Sequence, residues 1–173
     1  GAVVPQIETG SKPLSRVLTR MLDWGSDEHS ETADEALGPG DLPVVELPGR
    51  PGATDIAVIF SGDGGWRDLD RSLGEILANA GVDVIGIDCL RYFWSEKSPE
   101  TVAADLDKLM GHLLRQTDKA RIALIGYSFG ADILPAVFNR LGPEARRHAN
   151  LLSLLALGKD AHFKIHIEGW LGG

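Results

Sequence analysis

The chain has 173 residues, 43% of them hydrophobic, and a formal net charge of -8. That length and composition fit one globular domain with an ordinary core, and the acidic balance speaks against direct nucleic-acid binding, which needs a basic face, while favouring cationic ligands. No run approaches the roughly 20 apolar residues of a membrane span, and the single Cys89 excludes an internal disulfide.

Residues 1–40 begin with a short amphipathic piece (Leu14, Val17, Leu18, Met21, Leu22). It is followed by SDEHSETADEALGPG, a run with five acids in its first ten residues and no Lys or Arg. This stretch is expected to be an acidic linker or arm, with the domain proper over residues 41–173. The opening Gly1-Ala2, in place of methionine, is expected to mark an excised or processed fragment. LPVVELP is a short strand candidate, and IAVIF (Ile56 to Phe60) is a continuous apolar run of the kind buried in a parallel sheet. Leu69, Leu73, Ile76, Leu77 and Ala80 then fall at helical spacing, with Gly81 as the stop. VDVIGID, Val82 to Asp88, reads as a second buried strand. Ser98-Pro99-Glu100 opens another helix with a capping residue, a first-turn proline and an acid at the positive end of the dipole. Its apolar face is Val102, Leu106, Leu109, Met110 and Leu113. Ile122 to Ile125 is the third strand, a helix follows through Leu141 with Pro135 expected to kink it, and LLSLLAL (Leu151 to Leu157) reads as a fourth buried strand. Alternation of strand and helix predicts an α/β fold, an open and mostly parallel sheet with helices on both faces.

Function in such a sheet collects at the carboxyl ends of the strands, and three of those ends are unusual. Gly126-Tyr127-Ser128-Phe129-Gly130 is a G-x-S-x-G lying directly after a strand and before a helix. That is the setting of a nucleophile elbow, where small residues two before and two after the serine permit a strained turn that lifts Oγ above the sheet. The alternative is a serine that caps the helix, between glycines needed only for close packing. Ser61-Gly62-Asp63-Gly64-Gly65-Trp66, after IAVIF, suits the second half of an oxyanion hole, the expected donors being the N–H groups of Phe129 and Asp63. Its rival is a dinucleotide loop with Asp88 on a ribose, which fails on spacing because Arg67 occupies the third glycine position. Cys89-Leu90-Arg91-Tyr92-Phe93-Trp94 places three aromatics beside an arginine. They either line an acyl or lipid pocket or pack beneath a loop. No cofactor is expected. No metal is expected either, since His162 and His166 lack an evident third ligand.

SGDGGW, LRYFW and LIGYSFGADILP, in that order and separation, closely resemble the VirJ/AcvB bacterial virulence proteins, periplasmic members of the α/β-hydrolase group. The likeness covers about residues 42–173, and the first forty residues resemble the acidic stretch between the two halves of the longer AcvB-like members. The resemblance implies a periplasmic esterase-type activity, hydrolysis of aminoacylated phosphatidylglycerol and especially lysyl-phosphatidylglycerol at the membrane surface. It also implies a role around type IV secretion components and substrates. Within it Ser128 is the nucleophile, with Asp63 and Phe129 as oxyanion donors. Gly64, Trp66, Tyr92, Tyr127 and Asp132 are expected to line the substrate site. The pairing of Asp132 and Asp63 with a lysyl ammonium rests on charge complementarity rather than on a family motif.

The hydrolase order is Ser, then Asp or Glu, then His, the last two on strands after the one represented by LLSLLAL. The fold is therefore expected to be α/β-hydrolase-like and truncated before its last strands, with the 173 residues alone nearly inactive. His29 lies in the acidic arm, His112 on the exposed side of a helix and His148 in a charged stretch. His162 and His166 follow the fourth strand and alternate with Lys164 and Glu168 like the polar face of a further strand. Two readings follow: the N-terminal portion of a serine hydrolase, or a hydrolase-fold docking module for secretion substrates in which Ser128 is vestigial.

Overall fold

A computed structural model describes residues 35–37, 42–116 and 121–165. The amphipathic piece and most of the acidic run, with His29 and His166, lie outside them. Six strands, β1 (Glu35–Leu37), β2 (Pro43–Leu47), β3 (Asp55–Phe60), β4 (Asp83–Ile87), β5 (Arg121–Tyr127) and β6 (Ala149–Leu155), form one sheet in the order β1-β2-β4-β3-β5-β6. Strands β4, β3, β5 and β6 run parallel, whereas β1 and β2 pair antiparallel at the other edge. The helices are α1 (Asp68–Asn79), α2 (Cys89–Tyr92), α3 (Pro99–Gln116), α4 (Phe129–Phe138) and α5 (Pro143–His148).

The apolar runs become strands buried on both faces because each alternates between two cores. Ile56, Val58 and Phe60 of β3, with Ile85 and Ile87 of β4 and Ile122 and Leu124 of β5, enter the larger core. Ala57, Ile59, Val84 and Ile125 point the other way. The larger core is covered by Val102, Leu106, Leu109, Met110 and Leu113 of α3 and by Ile133, Leu134 and Val137 of α4, all buried. Helix α3 starts where its sequence directs, with the Ser98 hydroxyl accepting the Thr101 N–H at 3.1 Å. The smaller core is covered by α1 through Leu73, Leu77 and Ala78 and is filled by Trp66. A Cβ at Gly86 would lie 2.4 Å from the Trp66 ring and one at Gly74 would lie 3.0 Å from it. The two glycines thus form the slot that admits the indole.

Several expectations change. Glu35–Leu37, assigned to the acidic arm, pairs with β2. The fourth strand is shifted and is not buried: Leu151, Leu155 and Leu157 are exposed, and only Ala149, Leu152 and Leu154 pack against the larger core. Alternation on a strand with one packed face, rather than a continuous buried run, accounts for this. The helix expected to run to Leu141 ends at Phe138, and α5 follows as a separate piece. Residues 162–165 are irregular rather than a strand; Lys97 donates to the Phe163 carbonyl at 3.1 Å and Ile165 to that of Phe93 at 3.3 Å. Leu69 is 47% exposed, and Asp70 turns inward in its place. No helix of the described residues is long and apolar enough to cross a membrane.

From β3 the chain crosses to β4, and from β5 it crosses to β6, on opposite sides. The carboxyl ends of the adjacent strands β3 and β5 therefore flank the switch point at which open α/β sheets bind ligands. Overfilling the slot for Trp66 should unsettle this frame. Gly86→Ala is expected to cost about 1–3 kcal/mol, measurable as a lowered urea midpoint.

Candidate active site

At the end of β5 the chain must reverse into α4 within two residues. Ser128 makes that turn with φ +49° and ψ -114°, close to the first central position of a type II′ turn, which normally requires glycine. Holding a serine there costs about 1–3 kcal/mol and persists only where the surroundings over-determine it. Gly126 and Gly130 supply that constraint. A Cβ on Gly126 would lie 2.5 Å from the Gly130 carbonyl oxygen, and one on Gly130 would lie 2.3 Å from the Phe60 carbonyl oxygen. Backbone bonds complete the clamp: Ser128 donates to the Leu155 carbonyl at 2.9 Å and Gly130 to that of Ser61 at 3.1 Å.

The Ser128 side chain makes no helix-capping bond, and among the described residues Oγ has no hydrogen-bond partner. The capping alternative is therefore removed, while the close packing of both glycines is retained as part of the elbow. The Phe129 N–H, first in α4, has no partner among the described residues either, as expected at a helix start.

The loop after β3 lies beside this elbow. A Cβ on Gly62 would meet the Tyr127 ring at 3.3 Å and Ser128 Cβ at 3.8 Å. The Gly62 carbonyl accepts from Ser61 Oγ at 3.1 Å and from the Gly65 N–H at 3.2 Å. Because a trans peptide points its N–H opposite its C=O, this pinned carbonyl turns the Asp63 N–H out of the turn. That N–H also lacks a partner among the described residues. Ser61, fully buried, anchors the loop across the sheet: its N–H reaches the Ile87 carbonyl at 3.1 Å, and its Oγ accepts the Cys89 N–H at 2.9 Å. Gly65 adopts φ +81° against Asp88, where a Cβ would lie 2.9 Å from a carboxylate oxygen.

Beneath the loop lies Asp70, 5% exposed, which nothing in the helical spacing had singled out. Its carboxylate accepts the Gly62 N–H at 3.3 Å, and the backbone N–H groups of Arg67 and Asp70 itself lie near enough to favour its charge. Burial raises its pKa from 3.8 to about 6, with Asp88 adding to the rise and the backbone donors opposing it. The one signal available was an acid three residues after the helix N-cap, the position that reaches back to the N-cap N–H. Burial likewise pushes the neighbouring Cys89 thiol far up, so this cysteine is an inert core group.

The remaining expected site residues separate into two sets. Tyr127 ends β5 with its ring against Gly62, and Gly64 faces open space. Asp132, in the first turn of α4, accepts the Gly158 N–H at 2.5 Å and so ties down the segment after β6. Trp66 and Tyr92 do not line the site. Trp66 is 6% exposed in the smaller core, and its indole N–H is the buried side-chain polar atom left without a partner among the described residues. Tyr92 is 5% exposed and donates its hydroxyl to Asp105 at 2.6 Å. Phe93 is fully buried and stacks edge-on against Phe129, at a centroid distance of 5.0 Å, and against Phe163 at 6.2 Å. Of the three aromatics, only Trp94 is exposed. His162 is exposed, and His112 bonds Gln116. No group of three or more metal-ligating side chains occurs among the described residues.

Residues 54–173 match the family model described as bacterial virulence protein (VirJ). The chain belongs to the VirJ family. No curated protein matches it. Among solved structures, a lipase in its open form aligns with a TM-score of 0.52 at 19% identity, over 73% of this chain and 42% of the lipase. A probable hydrolytic enzyme from Pseudomonas aeruginosa aligns at 0.45 and 19% identity, over 63% of this chain and 34% of its own. A lidless α/β serine hydrolase from Xanthomonas campestris gives 0.48 and 16%, over 75% and 62%. The alignment with the lipase gives this VirJ-family chain the α/β-hydrolase fold, and the chain spans less than half the length of the lipase and of the Pseudomonas enzyme.

Asp70 makes stability depend on pH in a stated direction. Its folded pKa lies above the unfolded value, so its contribution is fully present below about pH 4 and is lost as pH rises through about 6. The stability of the wild type relative to Asp70→Asn is expected to fall by roughly 2–3 kcal/mol between pH 3.5 and 8, read from urea unfolding at both ends.

Proposed function

We propose that this VirJ-family chain carries the nucleophile and oxyanion half of a serine hydrolase acting on carboxylic esters. The observation that carries the reading is the Ser128 elbow: a strained serine that makes no capping bond, followed by the Phe129 N–H and set beside the Gly62–Asp63 loop, with the Phe129 and Asp63 N–H groups unpartnered among the described residues. In the proposed reaction Ser128 Oγ attacks the ester carbonyl, and the N–H groups of Phe129 and Asp63 hold the oxyanion that develops. The alcohol leaves, and water then releases the acid from the acyl-enzyme. A general base must take the Ser128 proton. It is assigned to residues other than those described, because no imidazole among them bonds to Ser128.

The substrate in this reading is an aminoacylated phosphatidylglycerol, lysyl-phosphatidylglycerol first, met at the membrane surface in the periplasm, with a link to type IV secretion. Support comes from family membership, from the net charge of -8 and from the acids Asp63 and Asp132 beside the elbow. A lysyl ester carries two ammonium groups, and carboxylates at a site rim both attract and orient them. Gly158 occupies Oδ1 of Asp132 and leaves Oδ2 available.

The test uses the full-length protein with liposomes containing lysyl-phosphatidylglycerol and measures released lysine. Wild type is expected to release it, and Ser128→Ala to lower the rate by at least about 10³-fold. No release by wild type, or equal release by the variant, overturns the enzyme reading in favour of a docking module.

A further inference from the structure

We infer that Asp70 is a positioning residue for the oxyanion loop: through the Gly62 N–H it holds the Gly62–Asp63 peptide in the orientation that directs the Asp63 N–H outward beside Ser128. The inference rests on the reading of Ser128 as nucleophile and adds to it a residue that touches no reacting atom.

Three observations converge on Asp70. Its side chain is almost wholly buried, 5% exposed, directly beneath the glycine loop rather than on the outer face of α1. Its Oδ1 receives the Gly62 N–H at 3.3 Å, while the Gly62 carbonyl is held from the other side by Ser61 Oγ and by Gly65. The Gly62 carbonyl shares its peptide plane with the Asp63 N–H and sets its direction, while Asp70 fixes the preceding Ser61–Gly62 peptide from which that plane continues. Gly62 is also the loop residue that faces Ser128 Cβ.

A helix-capping carboxylate alone would not need this placement. The Arg67 N–H at the start of α1 also lies near Asp70, where an acid at that position ordinarily reaches back. An acid performing only that service sits at the surface, where ionisation costs nothing. Here burial works against the ionised form, Asp88 adds to the rise, and the neighbouring Cys89 thiol, kept neutral by burial, brings no compensating charge. A carboxylate kept where it costs stability points to a role in the site, the pattern found where positioning is purchased against stability.

The test measures p-nitrophenyl butyrate hydrolysis and fluorophosphonate labelling of Ser128 in the full-length protein, beside unfolding midpoints. Asp70→Ala is expected to lower kcat by about 30-fold or more with KM changed less than about threefold, as a misplaced oxyanion donor does. Asp70→Asn, which keeps an acceptor oxygen for Gly62, is expected to recover most of that loss while its midpoint at pH 8 equals or exceeds that of wild type. The ratio of wild-type to Asn-variant kcat should shrink as pH falls below about 6, because wild type then loses the same charge. The ratio cancels the titration of the catalytic base. If kcat falls only in step with the unfolding midpoint, or stays within about twofold of wild type in Asp70→Ala while Ser128 is still labelled, Asp70 is a cap and the inference is overturned, with the nucleophile reading intact. If wild type is not labelled at Ser128, the nucleophile reading itself is lost and the inference with it.

Discussion

The contact on which the site depends is the seating of the first turn of α4 against the end of β3. Gly130 comes so close to the Phe60 carbonyl that any side chain would collide, and its N–H closes a bond to the Ser61 carbonyl at 3.1 Å. That seating holds Ser128 in a backbone conformation which serine avoids when free. It also ties together the two loops that must cooperate, since the Ser61 that receives Gly130 begins the glycine loop. Close packing and the geometry of the candidate site are one feature here, which is why a glycine serving one also serves the other.

From that contact the order spreads outward through polar groups rather than through apolar ones. Ser61 Oγ binds the chain at Cys89, Asp70 binds Gly62, and Asp88 lies against Gly65. A loop of this composition has almost no side chains with which to hold itself, so its shape must be imposed by neighbours in β4, α1 and α4. The two cores supply the rigidity behind them. Trp66 locks the loop's far end into a slot between Gly86 and Gly74, and Phe93 braces the ring of Phe129 from the other face. Both aromatics support the site from within the cores.

Much of the fold was legible because its signals are local. IAVIF, VDVIGID and the run before Gly126 are apolar beyond what a half-exposed strand needs, and the apolar spacing of α3 after its Ser98 cap repeats over about three turns. The elbow was legible for the same reason, its glycines standing two residues either side of Ser128. The roles of Trp66 and Tyr92 were not. An aromatic at a strand end can face a ligand or a core with equal chemistry, and what decides is a partner far along the chain: Gly86 for Trp66, Asp105 for Tyr92. Asp70 escaped notice because helical periodicity marks apolar positions, and Leu69 beside it satisfied the pattern while remaining exposed.

Residue type and spacing were enough to specify an open, mostly parallel α/β sheet and a serine at a strained turn, because strand burial, helix caps and glycine turns act over a few residues. Tertiary structure alone decided that β6 leaves Leu151 and Leu155 exposed, that Glu35–Leu37 joins the sheet, and that a buried carboxylate sits under the glycine loop. Each of these depends on which segments meet across the sheet, and pairing between distant strands leaves no mark in the order of neighbouring residues.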